Sequence, residues 1–452
     1  MPGVIVNRRP RGQQAASAFL GCLAVTFVFA SAARPAGAAE ALHAPLEQKA
    51  AWDAAKFGLF FHFGPWSQTG NGSIWTIAKA KDPQEQQRYL DLYRTFNPTR
   101  FDADNWAKGA RESGAKYVVF TTKHHDGFCN FDSALTDFKS TSPDCPYSKS
   151  AHPDLTAEFV RAMRAQKLVV GLYYSHIDWH HPNGNWDRNT VVDEAFIRNH
   201  PTEWRNFAAY ERGQVLELLT RYDAIDSLWF DVFWPHDGAE DARQMMQMVR
   251  SIQPNLLIND RGTAEYADYE TPEQGIPNPL PAGAWESCIT ISEGDGFWYK
   301  GSGAKYKSTE TLVRLLVDIV SKGGHLLLNV GPRGDGSWPP EESERLAAIG
   351  KWLTRNGAAI YGSSPSTLKS VPDWGRFTQN GSRIYAIVFD PTRSSIALPK
   401  DLNVHTAHLL DGGAALEVTQ PSTAIGDAEV HFAARTDTTL PIVIVFDTAG
   451  RS

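Results

Sequence analysis

Between about residues 50 and 360 the chain repeats one alternation, and this most restricts its fold. Short, continuously apolar runs (57–63, 117–122, 168–174, 227–233, 255–258, 288–291 and 325–330) are separated by segments with helical spacing of apolar residues (103–113, 155–166, 203–222, 242–252 and 310–321). A strand exposed on one face alternates apolar and polar residues. A run apolar throughout is covered on both faces, which is the pattern of a parallel sheet flanked by helices. The length and number of repeats predict a (β/α)8-like barrel with one element irregular or missing. An open doubly wound sheet is the alternative, but no glycine-rich phosphate fingerprint follows the first run.

A helical pattern over 342–355 ends this region. Beyond Ser364 short alternating runs separated by turn residues (376–378, 382–389, 395–398, 407–410, 429–433 and 439–446) predict a C-terminal antiparallel β-sandwich. The N-terminus reads as a processing segment: Arg8, Arg9 and Arg11 precede a small apolar stretch, and Ala36-Gly37-Ala38 forms a cleavage pattern. The expected organisation is therefore a signal peptide over 1–39, a catalytic barrel over 40–363 and a sandwich over 364–452. The mature protein is expected to be periplasmic or secreted, without membrane insertion. Cleavage leaves Cys129, Cys145 and Cys288, an odd number that excludes a full disulfide framework; Cys129 and Cys145 are the pair available for a bridge. A net charge of −7 argues against a nucleic-acid partner. No oligomeric state follows from the pattern.

In a barrel the chemistry lies at the C-terminal strand ends. Polar groups stand at nearly every such position: His62; Lys123-His124-His125-Asp126; Tyr173, Tyr174 and His176; Asp231; Asn259-Asp260-Arg261; and Asn329. Glu286 stands at the start of the sixth strand. Asp231 is the most telling, set in Leu228-Trp229-Phe230-Asp231-Val232-Phe233-Trp234. A carboxylate in an apolar, aromatic run costs several kcal/mol unless something pairs or uses it. Aromatic faces beside a carboxylate suit a sugar ring, and the 14 Trp, 14 Tyr and 23 Phe fit that reading. Carboxylates downstream (Glu270, Glu273, Glu286) supply the second acid that glycoside hydrolysis needs and a non-catalytic sugar-binding protein does not. Adjacent histidines such as His124 and His125 point to opposite faces of a strand, and the His176/Asp178 pair of a metal-dependent oxygenase, with His180 or His181 nearby, normally belongs to a β-sandwich of another class with its third ligand far along the chain. No metal or cofactor is expected.

Six segments together resemble the α-L-fucosidases of glycoside hydrolase family 29. They are Lys56-Phe57-Gly58-Leu59-Phe60-Phe61-His62-Phe63-Gly64, Thr122-Lys123-His124-His125-Asp126-Gly127-Phe128, Gly171-Leu172-Tyr173-Tyr174-Ser175, Trp229-Phe230-Asp231, Asn259-Asp260-Arg261 and Leu327-Leu328-Asn329-Val330-Gly331-Pro332. The resemblance implies a retaining exo-hydrolase that removes terminal α-L-fucose from a fucosylated oligosaccharide or glycoconjugate. It implies Asp231 as nucleophile; His62, His124, His125 and Arg261 as ligands of the fucose hydroxyls; Tyr173 and Trp229 as pocket lining; and Phe60 and Phe297 against the methyl group. For the general acid/base, Glu273, in a loop after the Asn-Asp-Arg strand, is favoured over Glu286, which is expected to orient substrate. The chain departs from the family where many members carry Glu-Trp: it reads Gly72-Ser73-Ile74-Trp75, keeping the sugar-contacting Trp75 but not the glutamate.

Overall fold

The computed structural model describes residues 42–447 apart from 71–73, 185–193, 295, 369–370, 400–401, 403, 405 and 421–427. The proposed signal segment and the Gly72-Ser73 pair therefore lie outside the described residues. Seven parallel strands are present: β1 Phe57–Phe61, β2 Tyr117–Lys123, β3 Val169–Ser175, β4 Ser227–Asp231, β5 Leu257–Ile258, β6 Glu286–Thr290 and β7 His325–Val330. They pair in the order β5-β4-β3-β2-β1-β7-β6. Alternate residues divide between two cores. Phe57, Leu59, Phe61, Val118, Phe120 and Leu172 face the surrounding helices. Phe60, Tyr117, Val119, Tyr173, Trp229 and Leu327 fill the interior. Both faces are buried, which is why the strands read as continuously apolar. Gly58 is required at its position: a Cβ there would meet the Tyr117 ring at 2.4 Å.

The two ends of this sheet are joined by the irregular eighth element. The segment 268–274 runs between β5 and β6 and makes parallel bridges to both sides, Asn259 to Tyr269, Glu270 to Trp285 and Glu273 to Cys288. The Asp268 N–H donates to the Ile258 carbonyl at 2.7 Å, and the Gln274 N–H to the Cys288 carbonyl at 2.9 Å. Pro272 has no N–H to give, so the ladder is broken in its middle. Glu273, read from sequence as a loop residue, therefore stands on the segment that closes the barrel. Asp268 anchors this closure. Its carboxylate accepts from the N–H groups of Ala44 and Ile258, each at 2.9 Å, and lies 2.8 Å from Arg250 and 3.1 Å from Lys49.

Some local expectations are corrected. β4 ends at Asp231 rather than at Phe233, because the chain turns at Val232, which has φ +69°. Helices Leu46–Asp53, Trp75–Lys79, Pro83–Leu90 and Glu194–Asn199 are additional to those read from the pattern. Cys129 and Cys145 are not bridged: they and Cys288 are free, buried thiols. Among the described residues no helix is long and apolar enough to cross a membrane.

The C-terminal part forms one antiparallel sheet from eight strands, β8 Ser364–Pro365, β9 Gly375–Asn380, β10 Arg383–Val388, β11 Ser395–Ala397, β12 Ala407–Leu409, β13 Ala415–Thr419, β14 Glu429–His431 and β15 Ile442–Asp447. β10 and β15 are buried on both faces. Tyr385, Ile387, Val443 and Val445 join the core around the barrel helices. Ile384, Ala386, Ile444 and Phe446 face a second core, completed by Ile396 of β11 and Val430 of β14. The Trp352 indole donates to the Pro441 carbonyl at 2.8 Å across the junction.

Replacing Asp268 by alanine would leave Arg250 buried without its anion and two backbone donors unpaired. A loss of about 3–5 kcal/mol is expected from urea unfolding; an unchanged midpoint would show that closure does not depend on this anchor.

Candidate active site

The C-terminal strand ends surround a cavity of about 670 Å³ lined by Phe60, His62, Trp75, His124, His125, Trp229, Asp231, Arg261, Glu273 and Phe297, among others. Asp231 is its organising group. The Tyr173 hydroxyl donates to Oδ2 at 2.7 Å, Arg261 Nη1 donates to Oδ1 at 2.6 Å, and the Val232 N–H donates to Oδ1 at 2.9 Å. The last bond depends on the turn at Val232. A β-branched residue rarely adopts positive φ, and such strain concentrates at functional positions. His125 Nε2 lies 3.6 Å from Oδ2.

Arg261 connects three parts of the site. Beyond Asp231, its Nη2 donates to Glu273 Oε2 at 3.0 Å and to the Thr271 carbonyl at 3.1 Å. Its guanidinium carbon lies 4.8 Å from the Trp229 ring centroid, a cation–π contact. Asp260 instead accepts from the Thr271 N–H and hydroxyl at 3.0 and 2.6 Å.

The histidines form the opposite wall. β2 ends at Lys123, so the alternation that would put His124 and His125 on opposite faces does not apply. The His125 N–H donates to His124 Nδ1 at 2.8 Å, the ring centroids are 4.3 Å apart, and both rings line the cavity. His125 Nδ1 is 2.6 Å from the Ser175 hydroxyl. His62 packs 4.3 Å from Phe60 and 5.1 Å from Phe297, so a polar ring sits beside an apolar patch.

Glu286 is placed differently from Glu273. It is buried at the start of β6 and is not among the cavity-lining residues. Its oxygens accept from the Tyr117 hydroxyl at 2.6 Å and the Trp229 indole at 3.0 Å. It lies beneath Trp229, and Trp229 stacks on Tyr173 with centroids 5.7 Å apart. Tyr173 reaches the site through its hydroxyl on Asp231.

Burial alone would push the Asp231 carboxyl upward. The Arg261 guanidinium, His125, His124 and the Tyr173 hydroxyl outweigh it and hold the carboxyl well below the usual carboxylate range. When the imidazoles are neutral, Arg261 and Tyr173 carry this effect. Burial lowers His62 to about 3 and His125 to about 4, against the opposing pull of Asp231, and moves His124 in the same direction. The site thus combines an ionised carboxylate with neutral imidazoles that can exchange hydrogen bonds with hydroxyls. Burial pushes Glu286 up to about 7, against the bonds from Tyr117 and Trp229.

His176 and Asp178, the oxygenase alternative, do not form a metal group. Asp178 accepts from the N–H groups of His180 and His181 and lies 3.6 Å from the Lys123 ammonium, while His176 stacks on Phe230. Among the described residues the one group with ligand atoms close enough for a cation is His124, His125 and Asp231, within 4.8 Å of one another. There Arg261 already neutralises the carboxylate.

Several lining residues were not singled out as site residues from sequence. Trp298 and Glu194 carry no local signal. Phe233 falls inside the run 227–233 that reads as a strand, and Ile74 and Trp234 lie in quoted segments in which neither is assigned a role.

The model of the family described as Alpha-L-fucosidase matches residues 30–358. The tissue alpha-L-fucosidase of Bos taurus is 31% identical over 366 residues, covering 75% of this chain and 74% of that protein. Among solved structures, alpha-L-fucosidase isoenzyme 1 from Paenibacillus thiaminolyticus aligns with a TM-score of 0.77 at 36% identity, over 89% of this chain and 99% of that one. An alpha-L-fucosidase from Bacteroides thetaiotaomicron, a trapped covalent intermediate in complex with 2-fluoro-fucosyl fluoride obtained with a glutamate-to-glutamine mutant, aligns with a TM-score of 0.76 at 27% identity, over 91% and 99%.

The depressed histidines give a pH prediction. Unfolding returns His62 and His125 to an ordinary value of about 6.5, so the unfolded chain binds more protons at mildly acidic pH. Their contribution to stability is present above about 6.5 and is lost as pH falls from there toward about 4 for His125 and about 3 for His62. The ring NMR signals of His62 and His125 are expected to stay at neutral-imidazole positions down to pH 5; protonation near 6.5 would contradict the assigned environment.

Proposed function

The chain belongs to the alpha-L-fucosidase family of glycoside hydrolases, and we propose that it is a retaining exo-α-L-fucosidase with Asp231 as nucleophile and Glu273 as general acid/base. The observation that carries this reading is Asp231 itself: an ionised carboxylate, fixed on both oxygens, facing a cavity with an aromatic wall and neutral imidazoles. The substrate class is a terminal α-L-fucosyl residue on an oligosaccharide or glycoconjugate. In the first step an Asp231 oxygen bonds to C1 of fucose. The C1–O bond to the leaving group breaks, and Glu273 gives its proton to the departing oxygen. In the second step Glu273 takes a proton from water, the water oxygen bonds to C1 and Asp231 leaves. Two inversions return the α configuration.

The remaining roles belong to the same proposal, and the positions of these residues around the cavity support them. His62, His124 and His125 exchange hydrogen bonds with the ring hydroxyls, and Trp75 and Trp229 flank the sugar. Phe60 and Phe297 take its methyl group, where an apolar patch offers no partner to the extra hydroxyl of galactose. Glu286 acts through Trp229 rather than on the sugar. Arg261 holds Asp231 ionised and meets Glu273, which has to turn from Arg261 to reach the leaving oxygen; loops and acids of this kind often complete their approach only with substrate bound. The trapped intermediate of the Bacteroides relative supports a covalent route with a functional glutamate. No step uses a metal. The N-terminal segment over 1–39 directs export to the periplasm or the outside, the barrel over 40–363 is the catalytic domain, and the sandwich over 364–452 braces it.

Asp231→Ala is expected to lower kcat roughly ten-thousand-fold while remaining folded, with partial rescue by azide; full activity would refute the assignment. NMR during early turnover should show α-L-fucose first, whereas β-L-fucose would mean inversion. Glu273→Ala should slow substrates with poor leaving groups about 10²–10⁴-fold and spare activated aryl fucosides. If Glu286→Ala shows that selectivity instead, the acid/base is Glu286.

A further inference from the structure

The cavity has two zones of different character. The deep zone holds Asp231, the histidines and Trp229. The outer zone is built from the stretch Val232–His236, directly after Asp231, with Glu194 behind it. Its most prominent member is Phe233, which is 62% exposed and is the one exposed aromatic side chain among the described residues. A single exposed apolar residue on a surface needs no explanation. Phe233 differs in two ways: it lines the same cavity as Asp231, and it stands on a loop that is fixed at several points.

Those points can be named. The Trp234 indole donates to the Gly238 carbonyl at 2.6 Å, and its ring packs edge-on against His176 and Trp204 at 4.7 and 5.7 Å. The N–H groups of His236 and Asp237 each donate to a Glu194 oxygen at 2.9 Å. The positive φ of Val232 then sends Asp231 inward while Phe233 emerges at the rim. The loop holds its backbone and its tryptophan in place and leaves the phenyl face free. A ring presented in this way has little conformational freedom to lose on binding a flat apolar partner.

Resting on the fucosidase reading, we infer that Phe233 is the platform of the leaving-group subsite, where it stacks on the C–H face of the hexopyranosyl residue to which fucose is attached. The deep zone takes the fucose ring. With fucose filling the deep zone, the attached sugar extends outward into the outer zone, where Phe233 is the exposed aromatic side chain. The same platform would hold a hexopyranoside acceptor when the fucosyl-enzyme is resolved by transfer instead of by water.

The test compares two substrates that share the fucosyl group. α-L-Fucosyl fluoride has a single atom as leaving group and nothing to stack. The second substrate is whichever of the α1,2-, α1,3-, α1,4- and α1,6-linked fucosyl hexopyranosides the wild type cleaves fastest. Phe233→Ala should reduce the ratio of kcat/KM for the disaccharide over that for the fluoride by about five- to tenfold, with most of the change in KM. Phe233→Tyr, which keeps the ring, should restore the ratio to within about twofold of wild type. An unchanged ratio, or a parallel fall with both substrates, would overturn the inference. Wild-type protein that cleaves neither substrate would overturn the fucosidase reading and this inference with it; activity on both with an unchanged ratio defeats the inference alone.

Discussion

The site depends on one guanidinium. Arg261 bonds to Asp231 and Glu273 and lies over Trp229. Without that charge, burial would push the Asp231 carboxyl upward, against the lowering effect of its remaining partners. The cost of putting a carboxylate at the end of an apolar strand is thus met by a partner from the neighbouring strand end. The tyrosine on the other side completes its hydrogen bonding, so removing any one member leaves the others exposed to the same penalty.

Arg261 reaches all three groups because of how the barrel closes. It follows the two-residue strand β5, and Glu273 stands on the irregular segment that β5 and β6 share. A regular eighth strand would present a full ladder. This one is interrupted at Pro272 and anchored at its start by Asp268, which is itself tied to Arg250, Lys49 and two backbone amides. The irregularity therefore places Glu273 within reach of the Arg261 that holds Asp231 instead of using all of that segment's hydrogen bonds for the sheet, consistent with structural departures collecting at functional positions.

A further layer of buried groups supports the first. Glu286 accepts hydrogen bonds from the Trp229 indole N–H and the Tyr117 hydroxyl. The His176 N–H donates to the Asp231 carbonyl at 3.1 Å, and its ring is stacked on Phe230 with Nδ1 3.4 Å from Glu211. Burial lowers His176 to about 3 and raises Glu211, so each favours its neutral form and the pair avoids an unsolvated ion pair. These groups do not touch the cavity. They fix the strand and the indole that do, which is how a constellation is held to the tolerance that catalysis requires.

The sequence alone determined the parallel strands, the main helices between them and the chemical inventory. Continuous apolar runs between amphipathic helices identify a two-faced parallel sheet, and that fold places the chemistry at the strand ends, where His62, His124, His125, Asp231 and Arg261 could be read directly. These signals are local, carried by periodicity and by residues adjacent in the chain. What only the tertiary structure decided is which groups meet. Arg261 is 30 residues from Asp231 and 12 from Glu273, and nothing in their spacing distinguishes those partners from Asp260 or Glu265. The sequence favours Glu273 over Glu286 only as a loop residue against a strand start; strand register puts Glu286 beneath Trp229 and Glu273 at the cavity. Phe233 reads as one more strand residue until the turn at Val232 ends β4 and exposes it. Register, barrel closure and the backbone angle of one residue act between segments distant in the chain, so they appear only when the chain is folded.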